Sequence, residues 1–165
     1  MSNELTVRQA VPAELDRILS IYADARAYMA QNGNPTQWGQ GYPPEELVRT
    51  DVQGGHAYVC ADGDDILGVF YFAKGPDPTY ERIEGAWLND RPYHVIHRIA
   101  VAKHAHGRGV AAACFAYAFA HGGNVKIDTH QNNLPMQRAL QKNGFVPCGT
   151  IFLENGEPRM AFHRA

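Results

Sequence analysis

"HAHGRGVAAA", residues 104–113, sets two glycines around an arginine immediately before a run of alanines. Glycine disfavours a helix by about 1 kcal/mol relative to alanine, so Gly107 and Gly109 mark a place where the backbone must turn or approach something closely. The residues in front, "YHVIHRIAVA" (93–102), are rich in β-branched and aromatic types and predict a strand. Those behind predict a helix from about residue 109 to 120, ended by Gly122 and Gly123. A strand, a glycine turn and a helix N-terminus make an anion site, because the first helical N–H groups lack partners and the helix dipole adds about half a positive charge. Phosphate is the expected guest.

Working outward, "LTVRQA" (5–10) predicts a first strand. It gives way at Pro12 to a helix in which Leu15, Ile18, Leu19, Tyr22 and Met29 share a face, with Glu14 and Asp16 in the acid-favouring first turn. "QNGNPTQWGQGYPP" (31–44) has three glycines and three prolines, too many for a regular element, yet holds Trp38 and Tyr42. A short helix is expected from Glu45, and "HAYVCA" (56–61) and "ILGVFYFA" (66–73) around "DGDD" predict an antiparallel hairpin. "TYERIEGAWL" (79–88) is ambiguous. Beyond the glycines, "NVKIDTH" (124–130) is another strand, and "NLPMQRALQKNG" (133–144) a helix capped by Asn133, with Pro135 in its first turn and Gly144 as its stop. "FVPCGTIFL" and "RMAFHR" close the chain as a strand pair across "ENGE". The order predicts a mixed α/β fold with a strand–helix–strand–helix–strand heart.

Length and charge narrow the function classes. A chain of 165 residues suits one compact domain over 1–165, without repeats or linker. With 15 Lys+Arg against 17 Asp+Glu, no basic field recruits nucleic acid. Cys60, Cys114 and Cys148 are odd in number and in no C-x-x-C spacing, which predicts free thiols in a reducing compartment. There is no signal-peptide core and no apolar run approaching about 20 residues, so a cytoplasmic protein with no membrane partner is expected. His104 and His106 form an H-x-H without a third ligand at suitable spacing, and no metal is expected.

Two phosphate ligands compete for the glycine stretch. "GRGVAA" fits G-x-G-x-x-G/A with Asp128 about 20 residues on, the pattern of a dinucleotide site in an NAD(P)-dependent oxidoreductase. Against it, "AKHAH" separates Val101 from Gly107, and a hairpin precedes the glycines where a doubly wound sheet has none. A mononucleotide P-loop fits less well still, since no G-K-[ST] follows. The other reading is a resemblance. "HRIAVAKHAHGRGVAAACF" (97–115) resembles the acetyl-CoA motif of the GNAT superfamily of N-acetyltransferases, a strand ending in an apolar "AV" pair, then R/Q-x-x-G-x-G/A and a helix. His106, Gly109 and Ala111 hold its three defining places, His106 standing where Arg or Gln is usual. "NNLPMQRALQKNGF" (132–145) is similar to the second signature, N-x-x-A-x-x-x-Y-x-x-x-G-F, through Asn133, Gly144 and Phe145, with Leu140 replacing the tyrosine that often protonates the departing thiolate.

The resemblance implies a mixed, mostly antiparallel sheet of about seven strands with about four helices. It also implies transfer of acetyl from acetyl-CoA directly to an amine of a small molecule or peptide. Main-chain groups of the strand at Ile99, Ala100 and Val101 would pair with the pantetheine arm, one N–H polarising the thioester carbonyl. The phosphates would lie on His106, Gly107, Arg108, Gly109, Val110, Ala111 and Ala112, with Asn133 beside the arm. An alkylamine of pKa about 10.4 is protonated at pH 7, so a base is required. His97 is the first candidate, because residues 97, 99 and 101 of a regular strand share the face that looks toward the cofactor in this family. Glu84 is a weaker candidate, with His94, acting through water. Arg98, pointing away, is expected to pair with Asp128. Trp38, Tyr42, Tyr80 and Trp87 are expected to line the acceptor pocket, with Glu84 or Asp90 attracting the ammonium group. Cys148 is expected to be a buried small residue. A homodimer is admitted, and the other-class alternative is a non-catalytic acyl-CoA-binding or sensing domain, suggested by Leu140.

Overall fold

The computed structural model describes residues 4–165. Its elements run β1 (Thr6–Gln9), α1 (Leu15–Gln31), α2 (Glu45–Gln53), β2 (Ala57–Asp62), β3 (Asp65–Lys74), β4 (Glu84–Gly85), β5 (His94–Val101), α3 (Val110–Gly122), β6 (Val125–Thr129), α4 (Leu134–Lys142), β7 (Val146–Phe152) and β8 (Pro158–Arg164). The strands form an eight-stranded sheet in the order β1-β2-β3-β5-β6-β8-β7-β4. Only β5 and β6 run parallel, so the doubly wound sheet that a dinucleotide site would require is absent among the described residues. The eighth strand is the two-residue β4, from the segment whose sequence is ambiguous; it pairs with β7 through Glu84–Thr150 and Gly85–Gly149.

Helices cover both faces of the sheet. On one, α3 lays Tyr117 against Tyr58 of β2 and Phe70 and Phe72 of β3. On the other, which carries Tyr71, Asp51 of α2 pairs with Arg98 of β5, and Ile18, Ile21, Tyr22 and Ala25 of α1 are buried. A second, smaller core of Tyr80, Val95, Ile151 and Ala161 packs Trp87 and Tyr93 beneath the loop that precedes β4.

An irregularity in β5 decides where its side chains go. His97 lies opposite Tyr71, and Ala100 opposite Val69, with a register shift between. Tyr71 and Val69 share a face, so His97 and Ala100 share it too, three residues apart. Arg98 at φ 51 absorbs the extra residue as a bulge. Val101, opposite Gly68, therefore falls on the other face from His97, contrary to the alternation expected for 97, 99 and 101. Arg98 swings to the face carrying Tyr71, its guanidinium 4.5 Å over that ring, and pairs with Asp51 rather than Asp128.

His163 in β8 has no exposure; its Nδ1 accepts from the Leu88 N–H at 3.1 Å, and its Nε2 donates to Asn124 Oδ1 at 2.7 Å. Burial, with Lys126 and Arg91 nearby, pushes its pKa down to about 4. An unfolded chain binds that proton first as pH falls, so stability is full above about pH 6.5 and declines toward pH 4, by up to about 1.4 kcal/mol per unit. Burial lowers His94, His106 and His130 as well, which adds in the same direction. Urea melts between pH 7.5 and 5 should lose about 2 kcal/mol through His163, and His163→Gln should flatten that slope; an equal slope in the variant contradicts the assignment.

Candidate active site

The parallel pairing of β5 with β6 covers only His94–Val125 and Val95–Lys126. Beyond it the strands part, and a cavity of about 740 Å³ opens between them, reached by Trp38 and Tyr42 of the 32–44 loop, by Met29 of α1, by Asn133 at the cap of α4 and by Met136 within it. Because Val95 sits beside Lys126 and Asp128 opposite Ala161, alternation puts His97, Asp128 and Arg159 on one face of three adjacent strands. All three line the cavity.

His97 is held by Asp77: Nε2 lies 2.6 Å from Oδ2. With the proton on Nε2 facing the carboxylate, Nδ1 keeps its lone pair. Asp77 also accepts from the Thr79 N–H at 3.0 Å and its hydroxyl at 2.7 Å. Burial works to raise the Asp77 carboxyl, but hydrogen bonds from His97 and Thr79 outweigh it and hold it down at about 2. Asp128 accepts from the Tyr80 hydroxyl at 2.7 Å. Burial raises both groups.

A second cavity, of about 200 Å³, lies against the glycine stretch, lined by Val101, Ala105, His106, Gly107, Gly109, Val110, Ala111, Ala112, Ala139, Lys142 and Asn143. Gly107 and Gly109 sit at φ 85 and 79, and a Cβ on either would meet open space. Their glycines are thus required by backbone conformation, not by crowding. Ala113 is the first residue of α3 whose N–H bonds back, to Gly109, at 3.0 Å, so the amides of Val110, Ala111 and Ala112 remain for a ligand. No carboxylate lines this cavity, whereas Lys142 does, so the chemistry suits an anion. Ile99 borders the larger cavity and Val101 the smaller, which makes one strand edge the path between them. The cradle, the parted strands and the cavity together fit a diphosphate with an extended arm.

A family model described as acetyltransferase (GNAT) family matches residues 18–145. This chain belongs to the GNAT acetyltransferases. Among solved structures, a GNAT family acetyltransferase of Streptococcus agalactiae is 31% identical over 97% of this chain and 94% of that one, with a TM-score of 0.87. Acetyltransferases of the same family from Listeria monocytogenes (17% identity, 97% and 94% covered, TM-score 0.71) and Bacillus cereus (19%, 97% and 96%, 0.64) share the fold. No curated protein matches the chain.

Within this GNAT fold, the residues singled out by sequence divide into those that meet and those that do not. His97, Trp38, Tyr42, Ile99 and Asn133 border the larger cavity, and the glycine stretch borders the smaller. Ala100 faces the side of Val69 and is buried. Glu84 does not join them: β4 is the far edge of the sheet, and the side chain is 64% exposed beside Arg82. His94 sits on the opposite face from His97, stacked on Phe72. Tyr80 and Trp87 do not line the cavity. Their hydrogen bonds turn them inward, Tyr80 to Asp128 and Trp87 Nε1 to the Tyr80 carbonyl at 2.9 Å, and they fill the smaller core. Asp90 is exposed and outside the lining, and Cys148 is half-buried. Arg108 is engaged with Asp62 at 2.9 Å and does not line the smaller cavity, while His106, which does, has its ring stacked on Tyr28 at 4.3 Å. Asn133 caps α4 by accepting from the Met136 N–H at 3.2 Å and donates to Gln37.

Sequence reasoning missed Asp77, Arg159 and Lys142. Asp77 carried a signal, since Asp-Pro-Thr is a capping pattern and Asp77 caps the short turn Pro78–Tyr80. Leu140 is wholly buried in the main core and lines neither cavity.

Gly109 offers a direct test of the cradle. Gly109→Val forces a β-branched residue to φ 79 and should cost about 1–2 kcal/mol of stability. It should also raise the Kd for acetyl-CoA about tenfold in calorimetric titration, as a shift of about 1.4 kcal/mol would; unchanged affinity in the folded variant contradicts an amide cradle.

Proposed function

We propose that this protein transfers acetyl from acetyl-CoA directly to a primary amine of a small molecule or peptide, with His97, oriented by Asp77, as the base. The supporting observation is the His97–Asp77 contact of 2.6 Å at the wall of the cavity between the parted strands. Acetyl-CoA, when bound, supplies the thioester carbonyl and a sulfur whose thiol pKa of about 8.5 lets it leave as thiolate without an acid. The amides of Val110, Ala111 and Ala112, with Lys142, hold its diphosphate. Main-chain groups of Ile99 and Val101 align its arm, and one N–H polarises the carbonyl oxygen. His97 Nδ1 takes the proton shed by the amine as nitrogen bonds to the carbonyl carbon and the carbon–sulfur bond breaks. Asp77, anionic throughout the neutral range, stabilises the imidazolium that results. Trp38 and Tyr42 flank the acceptor.

A second reading has one observation in its favour. Leu140 is packed into the core where the family's tyrosine would stand, so no acid comes from that helix position, as in a domain that binds acyl-CoA without turning it over. Thiol release over a panel of amines, run beside acetyl-CoA binding, separates the two. Release with at least one amine class supports transfer, and tight binding with no release from any amine supports the binding domain.

A further inference from the structure

Arg159 is the unexplained charge of the larger cavity. Its side chain is only 6% exposed, yet its contacts are poor: the carbonyl of its own neighbour Pro158 at 2.9 Å, and Glu157 at 3.4 Å, a carboxylate that is itself 56% exposed. A guanidinium offers five donors in a planar fork, and burying one is costly unless an anion completes it. The hydroxyl of Thr129, in the same lining but on the opposite face of β6 from Asp128, is also buried without a hydrogen-bond partner. Asp128 stands on β6, between the strands that carry Arg159 and His97 and on the same face as both, with Arg159 two residues along β8 from Ala161, the direct partner of Asp128.

We propose that the acceptor is an amino-acid-like amine whose carboxylate is held by Arg159 while Asp128 draws its ammonium group toward His97. This rests on the acetyltransferase reading and narrows its substrate class. A monoanionic carboxylate matches the guanidinium bidentately and leaves the bound zwitterion near neutral. A phosphate, with up to two charges, meets repulsion from Asp128, Glu154 and Glu157, which share the cavity wall.

The test compares amino acids with their decarboxylated amines (leucine with 3-methylbutylamine, phenylalanine with phenethylamine, and so through the common side chains) in thiol release at saturating acetyl-CoA. The expected result is at least a tenfold preference in kcat/KM for a carboxylated member, falling toward unity in Arg159→Gln, with Arg159→Lys between. Equal or better turnover of the decarboxylated members, or a preference that Arg159→Gln leaves intact, overturns the proposal while the acetyltransferase reading stands. If no amine releases thiol, that reading fails, and melting protection by the same pairs with coenzyme A present decides this one. Protection by amino acids alone, lost in Arg159→Gln, supports it, and equal or absent protection overturns it. Should Arg159→Gln not fold, propionate and butyrate as competitors in the wild type read the same contact: competition against the acceptor supports it, and none overturns it.

Discussion

His97→Ala is expected to lower kcat/KM for amine acetylation about a hundredfold or more at neutral pH, the usual loss when a general base is removed. Acetyl-CoA affinity should change little, because the diphosphate cradle and the strand edge lie elsewhere. The deficit should shrink as pH rises toward 9, since an alkylamine of pKa about 10.4 then supplies more of its own free base. A bland role for His97, as a packed imidazole, predicts instead a stability loss with no such pH trend. Rates equal to wild type at pH 7 would retire the base assignment, and the orienting role of Asp77 with it.

Asp51→Ala should give the largest loss of stability. The carboxylate is 6% exposed and takes two bonds from Arg98, at 2.9 Å to Nε and 3.0 Å to the terminal nitrogen. Burial pushes the Asp51 carboxyl up and Arg98 opposes that shift, so the pair holds each other charged in a poor environment for either. Removing one partner strands the other, at a cost of about 3–5 kcal/mol, or about 10 °C in Tm for a chain of this size. Joint replacement, Asp51→Leu with Arg98→Met, should recover part of it, because no charge is then left unpaired; a double variant no more stable than the single one argues that packing, not charge, was lost. Function should suffer too. Arg98 also donates to the Tyr42 hydroxyl at 3.3 Å and its carbonyl accepts from Tyr22, so α1, α2 and the 32–44 loop are tied to the bulge beside His97. The KM of the acceptor should rise accordingly in Asp51→Ala.

The row His97–Asp128–Arg159 shows how far chain order can be read. His97 stood in a recognisable strand, so its candidacy was open to inspection. Its partner Asp77 comes from a Pro/Gly loop 20 residues earlier, which folds back onto β5; Arg159 comes from the last strand, and only the pairings of β5 with β6 and β6 with β8 bring it to the same cavity. Tyr80 and Trp87 mislead for the opposite reason. Aromatic residues on an irregular segment fit a pocket or a plug equally well, and the hydrogen bonds from Tyr80 to Asp128 and from Trp87 to the Tyr80 carbonyl make them the plug.

By itself the sequence determined the order of strands and helices and the glycine turn at 107–109, because periodicity, caps and left-handed backbone are properties of a few consecutive residues. The GNAT likeness was legible there for the same reason. Tertiary structure alone decided which side chains share the cavity. A single extra residue at Arg98 reverses the facing of Val101 relative to His97, and that bulge is set by pairing with β3 and by a carboxylate on another helix, neither of which leaves a mark in the local pattern.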